Sequence, residues 1–192
     1  MEQRDFDLAL LHAAQAGDAT SIRSLIGQGA RAKSEIGDCA LFVATDSGYA
    51  EVAKVLLAHG ARPNARDPKN SMPLHHAALL GHNDLVRLLL DEGARIDGKN
   101  RDNESALHAA VIAGHTEIVG ILLSRSAKTD AKDDSGLTLL MYAAYYGSTA
   151  IVELLLIHHA DVHKSRRRAL RLAEDQRHEE IVAILKAAGE TP

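Results

Sequence analysis

A period constrains this chain more than any other feature. Glycine recurs at Gly17, Gly48, Gly81, Gly114 and Gly147, at intervals of 31, 33, 33 and 33 residues, and Arg177 stands 30 residues after the last of them. Seven residues before each of these positions is a leucine: Leu10, Leu41, Leu74, Leu107, Leu140 and Leu170. Self-similarity at this spacing marks supersecondary repeats that are too small to bury an apolar face alone and gain stability by stacking on their neighbours.

Each repeat carries a second apolar set at offsets of three and four residues, the spacing that gathers side chains on one helical face. The sets are Ile22, Leu25, Ile26; Val52, Val55, Leu56; Leu85, Leu88, Leu89; Ile118, Ile121, Leu122; Ile151, Leu154, Leu155; and Ile181, Ile184, Leu185. Ser105 and Thr138 are placed to cap free backbone N–H groups at a helix start, and Pro73 suits a first helical turn, where its missing donor costs nothing. Gly29, Gly60 and Gly93 supply the left-handed residue that ends a helix. Polar, turn-rich stretches such as 66–70 and 132–136 separate the helix pairs. The expected repeat is therefore hairpin, helix, turn, helix.

Both ends depart from the rule. The final repeat shortens its hairpin to Lys164-Ser165-Arg166-Arg167-Arg168 and turns through Gln176-Arg177-His178, which reads as a C-terminal cap. The opening Glu2-Gln3-Arg4-Asp5 leaves no room for a preceding hairpin and reads as an N-terminal cap. One domain over 1–192 is expected, an all-α solenoid of about six helix-turn-helix repeats: 1–33, 34–66, 67–99, 100–132, 133–162 and 163–192.

Composition narrows the function. A formal charge of −4 argues against a protein that grips a phosphate backbone, which needs a basic surface. Cys39 is the single cysteine, so neither an intrachain disulfide nor a thiolate cluster for zinc can form. Residues 1–7 lack the basic start and apolar stretch of a secretory leader, and no segment approaches the roughly 18 apolar residues of a membrane span. A cytoplasmic or otherwise intracellular protein, monomeric alone, is expected.

These residues resemble the ankyrin repeat, with its Thr-Pro-Leu-His-x-Ala-Ala stretch, its Gly-His turn and its Ile-Val-x-x-Leu-Leu helix. The resemblance is strongest at Met72-Pro73-Leu74-His75-His76-Ala77-Ala78 with Gly81-His82, and at Ser105-Ala106-Leu107-His108-Ala109-Ala110 with Gly114-His115. It spans nearly the whole chain. Phe42 and Met141 replace the signature histidine, and Ser126 and His159 replace the glycine that ends the second helix, which implies local strain at those two positions.

The resemblance implies a concave surface, built from hairpin tips and the exposed side of each first helix, that binds a protein or peptide. By register the contributing positions are Lys69, Ser71, Leu79 and Leu80; Arg101, Asp102, Glu104, Ile112 and Ala113; and Asp134, Ser135, Leu137, Tyr145 and Tyr146. An apolar strip rimmed by charge is the composition of a binding surface. Tyr142, Tyr145 and Tyr146 cluster in a chain with 3% aromatic residues; Tyr142 is expected in the core and at least one of the others at the partner. Arg166, Arg167 and Arg168 either select an acidic partner segment or form a solvated cap loop.

No metal or cofactor site is expected. His75-His76 and His158-His159 with His163 lack converging ligands, and the resemblance gives His75, His82, His108 and His115 a structural role, hydrogen bonding backbone between repeats. No nucleophile elbow or phosphate loop is present, so no enzyme is expected. The reading is a protein-interaction module that uses neither nucleic acid nor membrane; the alternative is an inhibitor or accessory protein that regulates an enzyme by binding it, and an enzyme stands third.

Overall fold

The computed structural model describes residues 3–189 and, within them, every side chain except those of 162–164; Met1, Glu2, the His163 ring and the Lys164 side chain lie outside the described residues. The chain divides into two compact units, Met1–Arg95 and Ile96–Pro192. The first holds α1 (Gln3–Gln15), α2 (Ala19–Gly27), α3 (Glu35–Asp46), α4 (Ala50–Ala58), α5 (Pro73–Leu80) and α6 (Asn83–Asp91). The second holds α7 (Ala106–Ala113), α8 (Thr116–Ser124), α9 (Leu139–Tyr146), α10 (Thr149–Ile157), α11 (Val162–Asp175) and α12 (Glu179–Ala188). Among the described residues there is no strand, only an isolated antiparallel bridge between Lys132 and Thr138.

Within each unit the helices form two rows. In the first, α1, α3 and α5 pack side by side while α2, α4 and α6 back them; in the second, α7, α9 and α11 are backed by α8, α10 and α12. The leucine of the expected register is buried in five repeats, at 0 to 2% exposure for Leu10, Leu41, Leu74, Leu107 and Leu140. Leu170 departs from it. It is half-buried, because no described first helix follows α11 to cover that face, and Ala169 and Ala173 fill the core instead.

Regular side-chain ties also link successive repeats within each unit. Asn64 accepts from the Arg95 N–H in the first unit; Asp97 accepts from the Lys128 N–H and Asp130 from the Asp161 N–H in the second, each 31 residues on.

The turn between paired helices shows why glycine recurs there. Gly48 and Gly147 have φ of 76° and 74°, and the rings of His82 and His178 pack directly over them, leaving no room for a side chain. At the second-helix ends, Gly29, Gly60 and Gly93 hold positive φ as expected, while Ser126 and His159 are forced to 64° and 61°. Pro73 opens α5, and Thr138 caps α9 by accepting from the Met141 N–H at 3.4 Å. At Ser105, which caps α7, the hydroxyl instead meets Nδ1 of His108 at 2.9 Å.

One expectation needs correcting. The segment 164–168 is not a hairpin but part of the 14-residue helix α11. The stretch 164–172 contains no glycine, proline, asparagine or aspartate to turn the chain, and its Arg, Ala and Leu residues are strong helix formers. The signature histidines also divide by role. His75 and His108 accept on Nδ1 from the Met72 and Ser105 N–H groups at 3.2 Å, within their own repeats. Two turn histidines reach the preceding repeat: His82 Nε2 lies 3.4 Å from the Asp46 carbonyl, and His178 Nε2 lies 3.2 Å from that of Tyr145.

Candidate partner-binding surface

In the second unit the last turn of α9 fixes the tyrosines. Gly147 ends the helix in the left-handed region, and the His178 ring packs on it while reaching the Tyr145 carbonyl. Tyr145 and Tyr146, the two residues before that stop, are held outward at 44% and 49% exposure. They meet edge to face with centroids 5.1 Å apart, and Tyr146 stacks on Tyr142 at 6.4 Å, favourable geometries for aromatic rings.

Tyr142 is half-buried and anchored. Its hydroxyl donates to Oδ2 of Asp133 at 2.6 Å, and Oδ1 of Asp133 accepts from the Leu137 N–H at 2.8 Å. Burial, followed by the hydrogen bond to Asp133, pushes the Tyr142 hydroxyl well above its ordinary value. Burial pulls Asp133 upward, but the hydrogen bonds from Tyr142 and from the Leu137 and Ser135 N–H groups outweigh it and hold the carboxylate below the usual range. The hairpin and the aromatic helix are therefore locked together by an ionised acid.

Around this lock opens a cleft of about 230 Å³ lined by Leu137, Met141, Tyr142, Tyr145, Tyr146, Arg168 and Leu172. Arg168 and Leu172 stand four residues apart on α11 and so share a face. The other residues expected here lie along the hairpins and α7: Arg101, Asp102 and Asp134 are exposed, and Ile112 and Glu104 are half-buried. Glu104 accepts from the Asn100 side-chain amide at 3.0 Å, and the Asp134 N–H donates to the Asp102 carbonyl at 3.2 Å, which ties the two tips.

In the first unit Leu79 and Leu80 are exposed at 51% and 46%, and Lys69 is exposed at a hairpin tip. Ser71 corrects the expectation of an exposed side chain: it is 9% exposed, because its N–H donates to Asp67 Oδ1 and its carbonyl accepts the Asp67 N–H, closing the hairpin over it. Sequence reasoning missed a polar cluster beside it. His76 lies between Asp46, 2.7 Å from Nδ1, and Asp67, 3.2 Å from Nε2, and packs edge to face on Phe42. Buried Asp38 is held by the Arg62 guanidinium and by its backbone N–H at 2.8 Å. These residues and the exposed Cys39 border a groove of about 490 Å³. A carboxylate near each ring nitrogen was signalled only by an acid at the hairpin start, nine residues before His76.

Among the described residues no cluster of three or more His, Cys, Asp or Glu is arranged to hold a metal ion, and no helix is long and apolar enough to cross a membrane. A family model described as ankyrin repeats (3 copies) matches residues 2–67, 62–133 and 125–191. The chain is an ankyrin-repeat protein. Ankyrin repeats are in general protein–protein interaction modules, and the all-α helix pairs described above are those of the family. The chain is also similar to zygote-specific protein 3 of Chlamydomonas reinhardtii, 43% identical over 61 residues, which is 31% of this chain and 16% of that protein. The shared stretch is thus a minor part of the relative's length and speaks to the repeat alone.

Proposed function

We propose that this ankyrin chain binds a segment of a partner protein on the hairpin and first-helix side of its second unit, with Tyr145 and Tyr146 as anchors and the tips bearing Arg101, Asp102 and Asp134 setting register. The observation that carries this reading is the pair of half-exposed tyrosines bordering a cleft. Rigid aromatic rings with a hydroxyl are the side chains that most often dominate binding energy, because they bury large area at low entropic cost. Ile112, Leu137 and Glu104 flank the anchors, while Lys69, Leu79 and Leu80 offer a second contact surface on the first unit.

The test is affinity capture from the source cell with the wild type beside the Y145A/Y146A double variant. Partners held by wild type should be lost by the variant, a cost of about 2–4 kcal/mol for truncated hot spots, with helicity and Tm nearly unchanged. Equal capture by both proteins, or unfolding of the variant, would move the tyrosines from binding to packing.

A further inference from the structure

Resting on that reading, we propose that the tyrosine cleft selects an acidic partner segment, seating one apolar side chain among the rings and a carboxylate against Arg168. Among the described residues Arg168 is the one charged residue that lines the cleft. Asp133, the acid bonded to its wall, is already committed: both its oxygens accept from the protein, from the Tyr142 hydroxyl at 2.6 Å and the Leu137 N–H at 2.8 Å. It makes no ion pair with Arg168 among the described residues, and its two oxygens serve the hairpin and α9.

The neighbouring charges on α11 add to the effect. Arg166 donates to the carbonyls of Gly189 at 3.0 Å and Lys186 at 3.3 Å, and so serves the end of α12. Arg171 is 3.8 Å from Asp175, and Glu174 is drawn to Lys186 at 3.6 Å. Arg167 and Arg168 have no acidic partner among the described residues, and both are exposed. A second cleft of about 590 Å³ on the same helix is lined by Arg166, Arg167, Leu170, Arg171 and Glu174, so positive charge continues past the tyrosines. This local excess stands on a chain of formal charge −4.

The alternatives are disfavoured by elementary electrostatics. A neutral apolar segment would offer the guanidinium only backbone carbonyls and no opposite charge to offset its desolvation, and a basic one would set like charges together. A carboxylate accepts charge-assisted hydrogen bonds that the planar guanidinium fork donates side-on.

The experiment selects a random 12-residue phage-displayed peptide library on the full chain and then measures the enriched peptides by fluorescence polarisation. Enriched sequences should combine a Leu, Ile, Phe or Met with Asp or Glu. Their Kd should rise about tenfold or more in R168E, and also when NaCl goes from about 50 to about 500 mM. A charge-reversed peptide, each acid replaced by Lys, should prefer R168E to wild type. R168Q, a milder change, serves as the parallel variant, with circular dichroism on both. Neutral or basic winners, affinity within twofold in R168E and R168Q, or no enrichment would overturn the proposal. Peptides that need Tyr145 and Tyr146 but ignore residue 168 would leave the binding surface standing and remove its acidic preference; peptides that need neither would remove both.

Discussion

The two units end their helices differently. The first closes α2, α4 and α6 with Gly29, Gly60 and Gly93 at φ of 116°, 97° and 84°; the second closes α8 and α10 with Ser126 and His159 at 64° and 61°, and turns into α12 through Arg177 at 60°. A side chain with a Cβ costs about 1–2 kcal/mol in that region. The first-helix faces differ in the same sense. In the first unit His76 lies between two carboxylates and Arg62 holds Asp38, whereas in the second the tyrosines and Arg168 face outward. Non-glycine residues at the helix ends thus fall in the unit that carries the candidate surface, the pattern expected where a sequence trades local consistency for function.

The core offers the first way to break this comparison. Leu74 in the first unit and Leu107 in the second hold the same register and are both fully buried, so Leu→Ala at either should cost about 2–5 kcal/mol in denaturant melts. A much smaller cost at Leu107 would mean that the second unit is loosely packed throughout, and the strain at its helix ends would lose its special meaning.

Next comes the lock beneath the tyrosines. Tyr142→Phe removes a hydrogen bond to a buried, ionised acid and should cost about 2 kcal/mol at neutral pH. Asp133 is held below its unfolded value, so the stability it contributes is present above about pH 4 and is lost as pH falls through its lower folded value. Tyr142 is held above its unfolded value, so its contribution is present below about pH 10 and fades as pH rises beyond it. The stability gap between wild type and Y142F should therefore be widest between about pH 4 and 10. A gap independent of pH would deny the bond.

Smaller effects exchange the helix ends. Ser126→Gly should stabilise by about 1 kcal/mol, and Gly93→Ala, where the added methyl meets nothing within 4 Å, should destabilise by about as much through φ alone. Equal and opposite shifts in Tm would confirm that the difference between the units lies in backbone conformation.

The period, the leucine register, Pro73 and the turn glycines made the repeat legible before any coordinates, because a motif written six times averages out local noise. The end repeat is harder: Ser165 and the arginines read as a loop by analogy with the other hairpins, while the absence of Gly, Pro, Asn and Asp from 162 to 172 speaks for helix. Ser71 was placed by register on the outer surface, but register cannot report that Asp67 folds the hairpin over it. The exposure of Tyr145 and Tyr146 could be read from their place just before Gly147. That Leu172 joins them could not, since it depends on how α11 packs on α9.

The central claim is that most of the binding energy resides on the tyrosine face of the second unit and little on the leucine pair of the first. Titrating one partner-derived or selected peptide against Y145A/Y146A and L79A/L80A, with melting curves for each, tests it most directly. Affinity should fall about 100-fold, near 2.7 kcal/mol, in the tyrosine variant and less than about threefold in the leucine variant, with both proteins folded. The reverse order, or equal losses, would contradict the account.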